Sequence, residues 1–410
     1  MALSVGPGIF LVGGTIGTGS VTAMAKAGSQ FGMKLLWVLF ISCLFLWVLT
    51  EAYGRFTVVT GDTALHGFRK RLKGGNVIAL LTMIGAIIGL FSAMMGIMGL
   101  TSNMIYEGLI FFIPGLDLPQ YGAVLGIAVI VILIMYALLW VGRYSFFEKM
   151  LVIFVAIMGT AFLISMFIVL PSPKEIIAGF IPRIPNVKGG KLMTAAFVGT
   201  TMAGQIFVTR PLIIRAKGWT RVHVHEQSRD AFTAAFLTFV LSGSIMCAAT
   251  GALFHQGKVI TNVLDMVYTL EPVVGKYATA IFLVGTLSAA LSSVFPIMMF
   301  PSLLVSDFRT GVLDTKSADF RIIAGVTCLF GLIVPILGTN PIIAQIATQV
   351  SMVFVLPLVI AAIFFLVNSK KNMGEHKAGI LLNLGMITAF IFACVISYTA
   401  VLGLVELFVG

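Results

Sequence analysis

Apolar residues fall in long runs along this chain, separated by short polar segments. A helix needs about 20 mostly apolar residues to cross a bilayer. Eleven stretches qualify: roughly 5–29, 35–59, 76–103, 121–141, 147–170, 192–216, 230–254, 276–305, 321–337, 341–367 and 378–405. The third and eighth are long and carry glycines, which predicts tilt or unwinding. No soluble domain remains between them, so residues 1–410 read as one membrane domain. Spans one to five (about 1–170) and six to ten (about 190–367) make two groups, with an extra helix at about 378–405. An odd number of spans per group sets the two in opposite orientations.

The polar exceptions inside the spans are informative. Span one contains TIGTGS at Thr15–Ser20, and span six contains TTMAGQ at Thr200–Gln205. Glycine costs roughly 1 kcal/mol in a helix interior relative to alanine, so each cluster predicts a break. Glycine interruptions at corresponding positions of two halves point to the binding site of a transporter.

Composition fits this reading. Hydrophobic residues make up 59% of the chain and charged residues 10%, against about 25% charged in a soluble domain. The net charge of +11 comes from basic residues in short loops rather than from one basic face, which argues for membrane orientation and against nucleic acid. With the N-terminus inside, 18 of the 26 Lys and Arg fall on the cytoplasmic side; FRKRLK at Phe68–Lys73 is the strongest anchor. The C-terminus is then outside, and the expected location is a bacterial plasma membrane. The first residues lack the basic stretch of a signal peptide. Cys43, Cys247, Cys328 and Cys394 lie singly in apolar spans and read as small buried hydrophobes. The five histidines lie outside the spans, and HVH at His223–His225 reads as a solvated face. There is no HExxH, phosphate loop or Ser/His/Asp set, so an enzyme is not expected.

Several blocks resemble the Nramp divalent-metal transporters: VGPGIF at Val5–Phe10, AGSQFGMKLLWVL at Ala27–Leu39, VTGD at Val59–Asp62, LSSVFPIMMFPSLLVSDF in span eight and LPLVIAAIFFLVNSKKNMGEHK at Leu356–Lys377. The resemblance implies an all-α integral membrane fold. That fold is the leucine-transporter-like inverted repeat of five plus five helices with an eleventh, and its first and sixth helices are unwound at mid-membrane.

The family's metal motifs do not carry over. The DPGN motif falls on Gly17, Thr18, Gly19 and Ser20, and the MPH motif on Ala203, Gly204 and Gln205. Span three, where the family keeps acidic groups, has none over Met83–Leu100. With no carboxylate, a divalent ion in a low-dielectric cavity goes uncompensated, at a cost of several kcal/mol. No resident cofactor or metal is expected, only a coupling Na+ or H+.

What stands in the gap is a helix start whose free N–H groups carry partial positive charge. It resembles the G-[ST]-G motif of amino-acid permeases, where that motif receives the substrate carboxylate. The expected substrate is therefore a small polar organic solute, a carboxylate or amino acid, moved by alternating access. Gly17, Thr18, Gly19 and Ser20 would receive it; Thr201, Ala203, Gly204, Gln205 and Gln349 would complete the contacts, with Thr200 on the wall. Arg210, five residues past Gln205, would either face the inner vestibule as a carboxylate partner or anchor the span at the cytoplasmic side with Arg215 and Lys217. Thr15, Ser292 and Ser293 are candidates for a coupling ion. The expected partners are the solute and the lipid bilayer, with the chain a monomer or weak homo-oligomer. Two alternatives are a divalent-cation carrier (Mn or Mg) with a relaxed, carboxylate-free site, and a non-transporting receptor or scaffold.

Overall fold

A computed structural model gives the fold and describes residues 17–113, 115–141, 144–187, 189–270, 278–309 and 317–409. Among these the chain is helical, without a strand. The helices are α1 (Thr18–Phe31), α2 (Leu36–Thr60), α3 (Ala64–Arg71), α4 (Gly75–Phe112), α5 (Gln120–Val141), α6 (Tyr144–Ile168), α7 (Pro173–Gly179), α8 (Gly190–Thr201) and α9 (Gly204–Ala216). They continue with α10 (Val224–Ala252), α11 (Ala278–Arg309), α12 (Ala318–Phe330), α13 (Ile333–Leu337), α14 (Pro341–Ser351), α15 (Leu356–Asn368), α16 (Lys370–Met373) and α17 (Ile380–Val409).

Nine described stretches are long and apolar enough to cross a membrane, or ten if the bent pair Ala156–Ile168 and Pro173–Gly179 is one span. One of the nine, Thr18–Thr60, holds two predicted spans, α1 and α2, joined by a 3-10 turn at Gly32–Leu35. Each of the eleven predicted spans thus holds a helix or a broken pair.

Burial separates centre from periphery. The most apolar window of the broken span Gly190–Ala216 is wholly enclosed, whereas only 22% of that of Ile380–Leu407 is. The central helices are α1, α8 and α9, packed against α4, α10, α11 and α14. The outer ones keep apolar faces outward, as lipid-facing helices must.

Spans three and eight are not unwound. α4 runs 38 residues and α11 32 residues without a break. At 1.5 Å per residue both are longer than the roughly 30 Å core. The glycines of α4 serve close packing instead. A Cβ on Gly85 would lie 2.8 Å from Val355 Cγ2, and one on Gly96 would lie 2.6 Å from Gln345 Oε1. Conversely, the continuous tenth span is broken: α14 ends at Ser351, and a turn over residues 352–355 precedes α15. Pro357 near the start of α15 accounts for it, since proline has no N–H to continue the ladder.

Contacts sort the connections into two ends. Arg71 reaches Asp62 at 2.7 Å and Asn372 at 2.8 Å, Arg221 Nε donates to Val59 O at 2.8 Å, and Arg69 donates to Phe308 O. At the other end Glu175 meets His255 at 3.5 Å, and Asn340 Nδ2 donates to Thr261 O at 3.1 Å. These are the two alternating sets of loops that the sequence requires.

Candidate functional site

The break in span six is sharp. Met202 ends α8 at φ −114°, ψ 37°, and Ala203 precedes α9 at φ −56°, ψ 123°. In span one, α1 starts at Thr18 after an extended Gly17 (φ −90°, ψ −170°) with no side-chain cap. The N–H groups of a first helical turn have no helical partner, so the positive end of α1 points away from its own body. Thr15 lies outside the described residues.

The two starts meet at a cavity of about 60 Å3, with walls from α1, α4, α8, α9, α11, α14 and the turn after α14. Its polar lining is Gly17, Gly19, Ser20, Thr200, Gln205, Ser293 and Gln349; Ala203, Ala93, Ile297 and Met352 are among the apolar lining. Among the described residues no carboxylate or histidine borders it, and no group of three His, Cys, Asp or Glu could hold a metal ion.

Close approach explains the glycines. A Cβ on Gly17 would lie 2.5 Å from Ser293 Oγ, and one on Gly19 would lie 2.9 Å from Gln349 Cδ and 3.0 Å from Gln345 Nε2. Gly17 thus lets α1 touch α11, and Gly19 lets it touch the amides of α14. Ser20 Oγ pairs with Ser242 Oγ of α10 at 3.0 Å. Ser293 Oγ donates to Ala289 O at 3.0 Å, which leaves its oxygen free to accept. Ser292 Oγ donates to the same carbonyl at 2.9 Å but does not border the cavity.

Of the predicted contacts, Gly17, Gly19, Ser20, Ala203, Gln205, Gln349 and Ser293 converge. Thr18, Thr201 and Gly204 are buried beside the breaks, off the cavity wall. Each neighbours a lining residue, and one position turns a side chain about 100° around the helix. A Cβ on Gly204 would run into Val355.

Arg210 does not face the vestibule. It is completely buried, and its Nη2 donates to Gln227 Oε1 and to Asp230 Oδ2, both at 3.0 Å. Gln227 in turn donates to Glu51 Oε2 at 3.1 Å, and Glu51 pairs with Arg55. Five residues past Gln205 is about 140° around the helix, which carries Arg210 toward α2 and α10 and away from the cavity.

Sequence reasoning missed Met352 and Gln345. Met352 Sδ accepts a hydrogen bond from Gln205 Nε2 at 3.0 Å. Gln345 is fully buried between Gly19 and Gly96, with neither amide atom partnered. Pro357 was the available signal for Met352, because it marks the break that brings the thioether inward. Nothing in the sequence singles out Gln345.

The natural resistance-associated macrophage protein-like family profile matches residues 8–403. A divalent metal cation transporter MntH of Verminephrobacter eiseniae is 23% identical over 97% of this chain and 88% of its own length. The metal transporter Nramp3 of Oryza sativa subsp. japonica is 23% identical over 91% of this chain and 68% of its own. Among solved structures, the Eremococcus coleocola manganese transporter superposes with a TM-score of 0.72 at 16% identity, covering 98% of this chain and 86% of that one. MhsT, solved in complex with L-phenylalanine, superposes at 0.62 with 13% identity, covering 99% and 98%. The fold is therefore that of the Nramp and leucine-transporter-like carriers.

Proposed function

The chain belongs to the natural resistance-associated macrophage protein (Nramp) family of membrane transporters, and on that premise we propose that it carries a small organic carboxylate or amino acid rather than a transition metal. One observation carries this reading: the described residues that line the cavity at the two helix starts are all neutral, beside the positive end of α1. A helix N-terminus attracts anions, and a mostly apolar pocket with a few convergent polar groups suits an organic ligand. The family's carboxylate, thioether and imidazole positions hold Gly17, Ala203 and Gln205. Transport proceeds by alternating access between the halves at about 1–170 and 190–367.

Coupling by sodium suits the site better than coupling by protons, because the described cavity lining holds no carboxylate or imidazole. Ser293 Oγ offers an oxygen ligand. So does the carbonyl of Ser292, which loses its helical donor because Pro296 has no N–H.

Divalent-cation transport is the second reading. It is favoured by the metal transporters among the relatives and by the thioether of Met352 on the cavity wall, a soft ligand of the kind that helps select transition metals. Against it, that sulfur already accepts from Gln205, and no anionic ligand faces it.

Isothermal titration of the purified chain with Mn2+, Mg2+ and a panel of small carboxylates separates the two. Carboxylate binding that is lost in Gln349→Ala supports organic-solute transport. Low-micromolar Mn2+ binding without carboxylate binding establishes the metal reading.

A further inference from the structure

The polar and apolar parts of the cavity lie at different ends. Gly17, Gly19 and Ser20 of α1, Thr200 of α8, Ser293 of α11 and Gln349 of α14 all border it and are all buried. Ser293 lies against Gly17, and the Gln349 amide lies against Gly19. Gln205 extends this polar end no further, because its Nε2 donates to Met352 Sδ at 3.0 Å and its Oε1 faces Gly89.

From Ser293 an apolar stripe runs toward the end of α11. Pro296, Ile297 and Phe300 follow Ser293 at three, four and seven positions, a spacing that keeps them on one face of a helix. All three border the cavity. At 1.5 Å per residue the stripe covers about 10 Å. On α4, Leu90, Ala93 and Ile97 hold the same kind of spacing and line the cavity too, and Ile206 of α9 adds a third side. Ile206, Pro296, Ile297 and Phe300 are half-buried, whereas the polar contacts are buried. The cavity is therefore a slot with a closed polar end and apolar walls that keep surface for a guest. Its volume of about 60 Å3 corresponds to roughly four to six water positions, which limits the solute to a few heavy atoms.

We propose that the slot between α4 and α11 takes an aliphatic tail, so that the solute is a short alkyl carboxylate, and that Ile206 and Ile297 select the tail. This rests on the reading that α1 receives a carboxylate, and it specifies the other end of the molecule. Each CH2 buried in the slot tightens binding about fourfold. A hydroxyl at the far end of the tail meets no polar side chain among the residues of the two stripes, and it gives up its hydration without a partner.

The test is titration calorimetry of the full-length purified chain with acetate, propionate, butyrate and 3-hydroxypropionate, the last of which matches butyrate in size. Affinity is expected to rise about fourfold at each step from acetate to butyrate. Butyrate is expected to bind about tenfold more tightly than 3-hydroxypropionate, the low end of what an apolar pocket gives. In Ile297→Thr a hydroxyl enters the slot, and that preference falls to about threefold or less, while acetate still binds and shows that the site is folded. Ile206→Thr is expected to act in the same direction from the third side. Equal binding of butyrate and 3-hydroxypropionate by the native chain, or no rise from acetate to butyrate, overturns the alkyl slot and leaves carboxylate transport standing. An unchanged preference in both variants overturns the slot too. If no carboxylate binds and Mn2+ does, the slot and the carboxylate reading fall together.

Discussion

At the scale of single residues, the site depends on what is missing as much as on what is present. Gly19 has no side chain, and the space a Cβ would take is filled by the Gln349 amide. That amide is the far end of a flexible chain, so Gly19→Ala would push it aside without unfolding α1. The expected result is about tenfold weaker solute binding, or ~1.4 kcal/mol, with little loss of thermal stability; titration calorimetry and a melting curve read the two together. Gln345 gives the opposite expectation. Both of its amide atoms are buried and unpartnered, so an apolar replacement of similar shape removes a desolvation cost of about 1–3 kcal/mol. Gln345→Met should raise the melting temperature in detergent.

At the scale of elements, Arg210 ties three helices together. From α9 it reaches Gln227 and Asp230 on α10, and Gln227 reaches Glu51 on α2. Removing one member of a buried pair strands the other, at a cost of about 3–5 kcal/mol. Arg210→Ala should therefore lower the melting temperature strongly, and any solute that still binds should bind with unchanged selectivity, because the guanidinium does not touch the cavity. A second element-level expectation concerns the segment after α10. Burial pushes the Asp265 carboxyl up, but hydrogen bonds from Thr261 N, Asn262 N and Thr261 Oγ1, each 2.8 Å, together with Lys26, bring it below its ordinary value. A depressed acid stabilises the fold above its unfolded-state pKa of about 3.9, and that contribution is lost as pH falls through the folded value. Amide exchange at Thr261 and Asn262 should be slow near neutrality and should speed up only below that range. Lys26 also donates to Ile260 O, which ties this segment to α1.

At the scale of the whole molecule, the basic loops gather at one end. Arg69, Arg71 and Arg221 all make contacts there, together with the segments holding Asn372 and Phe308. The excess of Lys and Arg in these loops predicts that this end faces the cytoplasm. Single cysteines introduced at Lys371 and at Lys174, in a background without Cys394, test it. Lys371→Cys should react with an impermeant maleimide only in permeabilised or inverted vesicles, and Lys174→Cys in intact cells. The reverse pattern would invert the molecule and the direction in which the cavity loads.

Apolar run length determined the spans, because any twenty-residue stretch without charges must satisfy its backbone internally in lipid. The residues themselves likewise determined the loss of the carboxylate at Gly17 and of the thioether at Ala203. The break in span six was legible because glycine and polar residues interrupted an apolar run. The break in span ten left only Pro357 as its sign, since Met352–Val355 is apolar and reads like the helices around it. Only the tertiary structure decided which side of each helix faces the cavity. Thr201 and Ser292 differ from Thr200 and Ser293 by one position, a rotation that sequence spacing within one helix cannot convert into a direction. The same holds for Arg210: its partners on α2 and α10 are distant in sequence, and burial against them drew it away from the solute.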